Sequence, residues 1–284
     1  MYDIVTGSHG FCGSHLSEYL IKRGDMVIEL HHEALVNPQK VNKFLSAYQP
    51  FRLYHLASYG NMRGQDDVFE IYNANVGKLL TILEATKDLE CRGIVIAGST
   101  SEYGIKKLPM KEDQLLVPQT FYAAAKASAT LLAQTWVTQY GTPIVIYRPS
   151  SVTGVGEQSV HLIPTLIRSC FKKEPIEFIG SPAHDYVDVT DVVKAVSFLG
   201  RYADKYKGQI FNVSSCIQYT NQDVLDTIEL MTGRKANIKK EMELKKEDAS
   251  TYWTVDNAKM RAIGWEPSMT LMDSLEGMVD AYAH

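Results

Sequence analysis

The chain of 284 residues predicts an α/β fold. A doubly wound parallel sheet is expected over residues 1–150, followed by a smaller α/β lobe over residues 151–284 from which the chain can cross back. Three observations carry this expectation. Short β-branched runs alternate with longer amphipathic stretches through the first half, the pattern of a parallel sheet covered by helices. A glycine trio falls between the first strand and the first helix, where a tight strand-to-helix turn is needed. Beyond Arg148-Pro149 the alternation loosens, as it does where a second unit begins.

Element by element, strands are expected at 3–6, 26–30, 52–56, 93–97 and 143–147, and helices at 13–22, 40–48, 68–87 and 122–139. Gly24, Gly93 and Gly141 stand where a helix ends or a strand begins, and supply the positive φ of a C-terminal cap or tight turn. In the second half helices are expected near 162–172, 191–202, 221–231 and 271–283, a strand at 209–213, and a charged surface loop at 239–248.

Composition excludes several function classes. Apolar residues make up 45% and charged residues 22%, so the chain can bury a core and is not disordered. Twenty-nine basic against 33 acidic residues leave a net charge of −4. Such a chain sets up no field that draws a polyanion, and nucleic acid is not expected as a partner. No apolar run approaches the roughly 18 residues that span a bilayer. The first strand begins near Tyr2, leaving no room for a signal peptide, so a cytoplasmic protein without a membrane partner is expected. Cys12, Cys91, Cys170 and Cys216 form no C-x-x-C pair; they are expected as free thiols, and no metal site is expected.

The first strand runs into Thr6-Gly7-Ser8-His9-Gly10-Phe11-Cys12-Gly13. Glycines at this spacing allow a tight turn, close backbone approach to a pyrophosphate, and close packing of helix on strand. The helix N-terminus adds N–H groups and a positive dipole end. Gly7, Gly10, Phe11, Cys12 and Gly13 are therefore the expected cradle of a dinucleotide in a Rossmann-type sheet. At the end of the second strand such a site places an acid against the adenosine ribose. That place falls at His31, followed by His32, with Glu29 and Glu33 on either side. A missing carboxylate removes a repulsion and an imidazole can donate, so NADP(H) is expected over NAD(H).

Tyr122-Ala123-Ala124-Ala125-Lys126 puts a phenol and an ammonium on one helix face. A tyrosine is a poor acid or base at neutral pH, and a nearby cation lowers its pKa toward the useful range. The fourth strand leads into Gly98-Ser99-Thr100-Ser101-Glu102-Tyr103-Gly104, a hydroxyl-rich loop at a strand's carboxyl end, where sites form in open α/β sheets. Ser99 or Thr100 can then hold a substrate carbonyl beside Tyr122.

With these elements in order, the chain resembles the extended short-chain dehydrogenase/reductase family of nucleotide-sugar epimerases, dehydratases and ketoreductases. The match also takes in His55-Leu56-Ala57-Ser58, Asn75-Val76-Gly77, Arg148-Pro149-Ser150-Ser151, Asp185-Tyr186-Val187-Asp188-Val189 and Gly264-Trp265-Glu266-Pro267. The resemblance implies a nucleotide-binding sheet, a C-terminal sugar-nucleotide lobe, and a homodimer joined by a four-helix bundle from helices 68–87 and 122–139. It implies Tyr122 as general acid/base, Lys126 on the nicotinamide ribose, and Ser99 as the catalytic hydroxyl. Leu56, Ala57, Ser58, Pro149 and Ser151 would line the cofactor, and Thr100, Ser101 and Ser151 the substrate.

Departures from the family pattern refine the expectation. Dehydratases of the family carry acids directly after the catalytic hydroxyl, where this chain has Thr100 and Ser101; Glu102 stands one place too late. The Gly-Ser-x-x-Glu-Tyr-Gly form is more similar to the reductases of 4-keto-6-deoxy sugar nucleotides, such as GDP-4-keto-6-deoxymannose reductase. Two arginines that the family sets against the substrate diphosphate are His184 and Lys245 or Lys246 here, and lysine lacks the planar fork. An NAD(P)-dependent 4-ketoreductase is expected, with a 4-epimerase as the alternative and a non-catalytic dinucleotide-binding protein as a third.

Overall fold

The computed structural model describes residues 1–62, 64–106, 109–242 and 253–283. The chain separates into two compact units. One comprises Met1–Gly104, Leu115–Pro149 and Val192–Phe211; the other comprises Ile105–Gln114, Ser150–Asp191 and Asn212–His284.

The first unit is built on a six-stranded sheet of order β2-β1-β3-β4-β5-β9. Its strands are β1 (Tyr2–Thr6), β2 (Met26–Glu29), β3 (Phe51–His55), β4 (Cys91–Ala97), β5 (Ile144–Pro149) and β9 (Ile210–Val213). The pairings from β2 through β5 are parallel. Every residue of β3 is buried, as expected for a central strand covered on both faces. Helices α1 (Phe11–Lys22), α2 (Pro38–Leu45), α3 (Val68–Tyr72), α4 (Lys78–Thr86) and α5 (Phe121–Tyr140) connect the strands. Thr120 starts α5 by accepting from the Ala123 N–H at 3.1 Å, and Gly141, at φ 67°, ends it.

Two expectations for this unit change. The helix over 68–87 is interrupted by a π-turn at Asn73–Gly77. The Asn75 side chain donates to the carbonyls of Tyr59 at 2.7 Å and Ile71 at 2.8 Å. It thereby takes an acceptor that the helical ladder would use. Gly93 also lies inside β4 without a positive φ, unlike Gly24 and Gly141. Its small size is what matters, since a Cβ there would stand 2.7 Å from the Cβ of Ala203 and 2.8 Å from the Gly200 carbonyl.

The second unit holds a three-stranded sheet of order β10-β8-β6 and a parallel pair, β11-β7. These are β6 (Ser151–Thr153), β7 (Pro175–Phe178), β8 (Ala183–Asp188), β10 (Gln218–Thr220) and β11 (Asn237–Glu241). Helices α6 (Leu162–Lys172), α8 (Asn221–Thr232) and α10 (Leu271–Ala283) enclose a core that includes Leu166, Phe178, Ile228 and Leu275. Helix α7 (Val189–Arg201) follows β8, and the short α9 (Ala258–Ala262) precedes α10. Sequence reasoning places the longer helices but misses β6, β7, β8, β10 and β11, which have three to six residues each. In β8 the buried Asp185 breaks the apolar pattern, its carboxylate accepting from the Ser215 N–H at 3.1 Å and the Val255 N–H at 3.2 Å. The expected loop at 239–248 begins instead as the end of β11; residues 243–248 lie outside the described ones. Among the described residues no helix is long and apolar enough to cross a membrane.

Candidate active site

The order of the first sheet reverses between β2 and β3, on either side of β1. This is the switch point where open α/β sheets form a crevice. Gly7 turns the chain there at φ 74°, and a Cβ on it would lie 2.8 Å from the Ala57 N. The loop after β1 thus rests directly on the chain leaving β3, where Leu56 and Ala57 are half-buried and Ser58 is exposed. The Gly10 N–H donates to the Gly7 carbonyl at 2.9 Å. Gly10 then begins α1 with no side-chain cap, a helix start suited to an anion. A Cβ on Gly13 would run into the Gly7 carbonyl, so that glycine lets the helix close onto the loop. Thr6 ties β1 to β3 through a 2.8 Å hydrogen bond to His55 Nδ1. Burial pushes the pKa of His55 down to about 3, so its imidazole is neutral and structural.

Tyr122 occupies the first turn of α5 and Lys126 the next turn, while Ser99 follows β4. The Ser99 hydroxyl lies near enough to the Tyr122 phenol to hold its pKa down. Lys126 is buried, and its Nζ donates to the Ala97 carbonyl at 2.7 Å, 5.9 Å from the centre of the Tyr122 ring. The glycine loop and the phenol both belong to the first unit. Thr100 is buried and Ser101 half-buried, and the Ser101 N–H donates to Ser99 Oγ at 3.1 Å.

The electrostatics differ from the expectation that Lys126 lowers the phenol's pKa. Burial raises Tyr122 above its ordinary value; the Ser99 hydroxyl works against this, and Glu102 and Cys12 add to it. Lys126 directs its hydrogen bond to Ala97, and desolvation pushes its own pKa down to about 8, against the pull of Glu102. Loss of water thus dominates both groups.

Sequence reasoning missed the part played by Glu102. The carboxylate is fully buried. One oxygen accepts from the Ser99 N–H at 2.8 Å; the other accepts from Thr130 Oγ1 at 2.9 Å and from Arg148 Nε at 2.9 Å and Nη2 at 2.7 Å. The Arg148 guanidinium lies 4.6 Å above the Tyr103 ring. This ion pair fixes the backbone of Ser99 and commits the loop's one carboxylate to Arg148. A signal was present in the Glu102-Tyr103 and Arg148-Pro149 motifs, but only tertiary contact pairs them.

His31 is exposed and follows β2, as the sequence implies. The ground there is not free of carboxylate, however. Glu29 Oε2 lies 3.8 Å from His31 Nε2 and 3.6 Å from His9 Nε2. Both a carboxylate and an imidazole therefore stand where the adenosine ribose is expected. Pro149 ends β5 in the first unit, whereas Ser151 and His184 belong to the second. Ser151 pairs with Tyr186 across β6 and β8. Burial lowers the pKa of His184, so it is uncharged at neutral pH and cannot replace an arginine's charge. Lys245 and Lys246 lie outside the described residues.

The model of the NAD dependent epimerase/dehydratase family matches residues 4–214. A UDP-glucuronate 4-epimerase of Thermodesulfobacterium geofontis (strain OPF15) is 24% identical, over 98% of this chain and 95% of that protein. The GDP-L-fucose synthase 1 of Arabidopsis thaliana is 22% identical, over 98% and 92% respectively. The crystal structure of a Thermus thermophilus UDP-glucose 4-epimerase in complex with NAD covers 100% of this chain, with 99% of its own chain matched, at a TM-score of 0.88 and 22% identity. That likeness establishes the fold.

Proposed function

Because this chain belongs to the NAD dependent epimerase/dehydratase family, we propose that it is an NAD(P)-dependent ketoreductase acting at C4 of a 4-keto sugar nucleotide, 6-deoxy sugars included. The observation that carries this is the Ser99 hydroxyl next to the Tyr122 phenol, with the buried Lys126 one turn along the same helix, in the same unit as a glycine loop that no side chain caps. When bound, the nicotinamide supplies the hydride. The chain's own residues do the rest. Ser99 Oγ donates to the keto oxygen, Tyr122 delivers a proton to that oxygen as negative charge develops on it, and Lys126 turns toward the ribose and the phenol. Gly7, Gly10, Phe11, Cys12 and Gly13 hold the diphosphate, with Leu56, Ala57, Ser58 and Pro149 along the cofactor. The sugar nucleotide is taken by the second unit, through Ser151, His184 and Lys245. Glu29 beside His31 would accept ribose hydroxyls and oppose a 2′-phosphate, so NADH is expected to bind at neutral pH at least as well as NADPH.

Elimination of water from the sugar needs a carboxyl group free to move a proton. Glu102 is instead locked by Arg148, Thr130 and the Ser99 N–H. A 4-epimerase is the second reading, supported by the relatives named as 4-epimerases and by the suitability of Glu29 for NAD. Retention of NAD through purification favours it, whereas stoichiometric consumption of reduced cofactor favours the reductase. We further propose that the protein acts in the cytoplasm as a homodimer. The dimer would form through exposed apolar residues on α3 and α5, among them Phe69 at 90%, Phe121 at 64% and Leu131 at 58% exposure.

The test is a screen of UDP-, GDP-, CDP- and dTDP-linked 4-keto sugars with NADH and NADPH, run on wild type and Tyr122→Phe. Turnover in the variant should fall by roughly 10²-fold or more, with cofactor affinity little changed. Near-normal turnover in Tyr122→Phe, or no sugar nucleotide turned over, refutes the assignment.

A further inference from the structure

We propose that His9, Glu29 and His31 form a binding site for a divalent transition metal ion of the zinc class. The three residues come from the loop after β1, the last position of β2 and the turn that follows it, all within the first unit. One ligand atom from each lies within 4.8 Å of the other two. Both imidazoles address the same carboxylate oxygen, Glu29 Oε2, at 3.6 Å from His9 Nε2 and 3.8 Å from His31 Nε2. The two rings stack at 5.5 Å with planes 20° apart.

These separations are longer than a hydrogen bond, roughly 2.7–3.2 Å. They approach the ligand-to-ligand edge of a tetrahedral zinc site, about 3.3 Å for bonds of about 2.0–2.1 Å. The carboxylate is close enough to pair with either imidazole when that ring is protonated, and a cation held between the three donors would satisfy all of them at once with the rings neutral. Two imidazoles and a carboxylate are a donor set that zinc accepts, and the exposure of all three leaves them open to an ion and to water in a remaining position. The neighbouring His32 and Glu33 do not compete, since they face each other at 3.4 Å.

The location gives the site a consequence. Its ligands stand on the phosphate loop and at the end of β2, the surfaces assigned above to the cofactor's adenosine half. On that assignment, zinc and the dinucleotide exclude one another, and loading of the metal shuts off cofactor entry.

The experiment uses the full chain without an affinity tag, stripped with a chelator. Zinc binding is measured by competition with a chromogenic chelator, with and without saturating NADH. One equivalent per chain is expected, weakened at least about tenfold in His31→Gln and in Glu29→Gln, while both variants keep the wild-type circular dichroism. NADH should weaken zinc binding by a similar factor. Absence of zinc binding overturns the site, as does binding that both variants leave unchanged, which would point to the cysteine thiols. Zinc and NADH bound independently of each other would overturn its placement. If NADH does not bind at all, the functional reading fails, while the two variants still decide whether the metal site exists.

Discussion

Replacing Lys126 by Met tests the balance of forces at the candidate site directly. Desolvation lowers the pKa of Lys126 from 10.5 to about 8 in the folded chain. An unfolded lysine titrates near 10.4. Between those two values the unfolded chain still holds a proton that the folded chain has released, so the folding stability contributed at this position rises with pH. At about 1.36 kcal/mol per unit, the window from about 8 to about 10.4 amounts to roughly 3 kcal/mol. Methionine has similar length and no charge, and the orphaned Ala97 carbonyl costs the variant the same at every pH. The difference between the two proteins therefore isolates the lysine. Urea unfolding of both cofactor-free proteins from pH 7 to pH 10.5 should show wild type gaining stability on Lys126→Met by about 3 kcal/mol above pH 8, with a constant difference below it. Parallel stability curves across the whole range would show that the ammonium is not desolvated, and the account of the site's electrostatics would fall. The same variant should also lose both turnover and dinucleotide affinity.

Three further outcomes are expected. Glu102→Gln leaves the buried Arg148 guanidinium without its counter-charge and should cost about 3–5 kcal/mol in urea unfolding; combining it with Arg148→Met should recover part of that loss, and a variant as stable as wild type would show the pair to be weak. Gly13→Ala drives a methyl into the Gly7 carbonyl, so calorimetric titration should show NADH affinity reduced by roughly tenfold or more, about 1–3 kcal/mol of overpacking; unchanged affinity would mean the loop can relax without losing the cradle. Phe69→Asp puts a carboxylate at the proposed dimer face, and light scattering should report a monomer where wild type is a dimer; identical masses would place any interface elsewhere.

Much of the first unit was readable from the order of residues. Parallel strands covered on both faces are short apolar runs, and the expected run at 52–56 differs from β3, Phe51–His55, by one residue at each end. The glycine trio was readable because its work is local: Gly7 needs a positive φ, and Gly13 needs room within a few residues of chain. The spacing of Tyr122 and Lys126 is likewise a property of one helix. Less was readable in the second unit, where strands of three residues such as β6 and β10 offer no period to recognise.

What the sequence determined by itself was thus the sheet with its helices, the turn that opens toward a phosphate, and the phenol and ammonium one helical turn apart. Tertiary structure decided which charges meet. Glu102 and Arg148 are 46 residues apart in the chain and form a buried pair behind Ser99, and Asn75 breaks a helix by reaching the Tyr59 carbonyl 16 residues away. His9 is drawn to Glu29 and His31 because β1 and β2 lie side by side. Helix and strand periods are short-range properties that a few consecutive side chains specify. The pKa of a buried group depends on what lies around it in space and on the water it has lost, and neither is written in its neighbours along the chain.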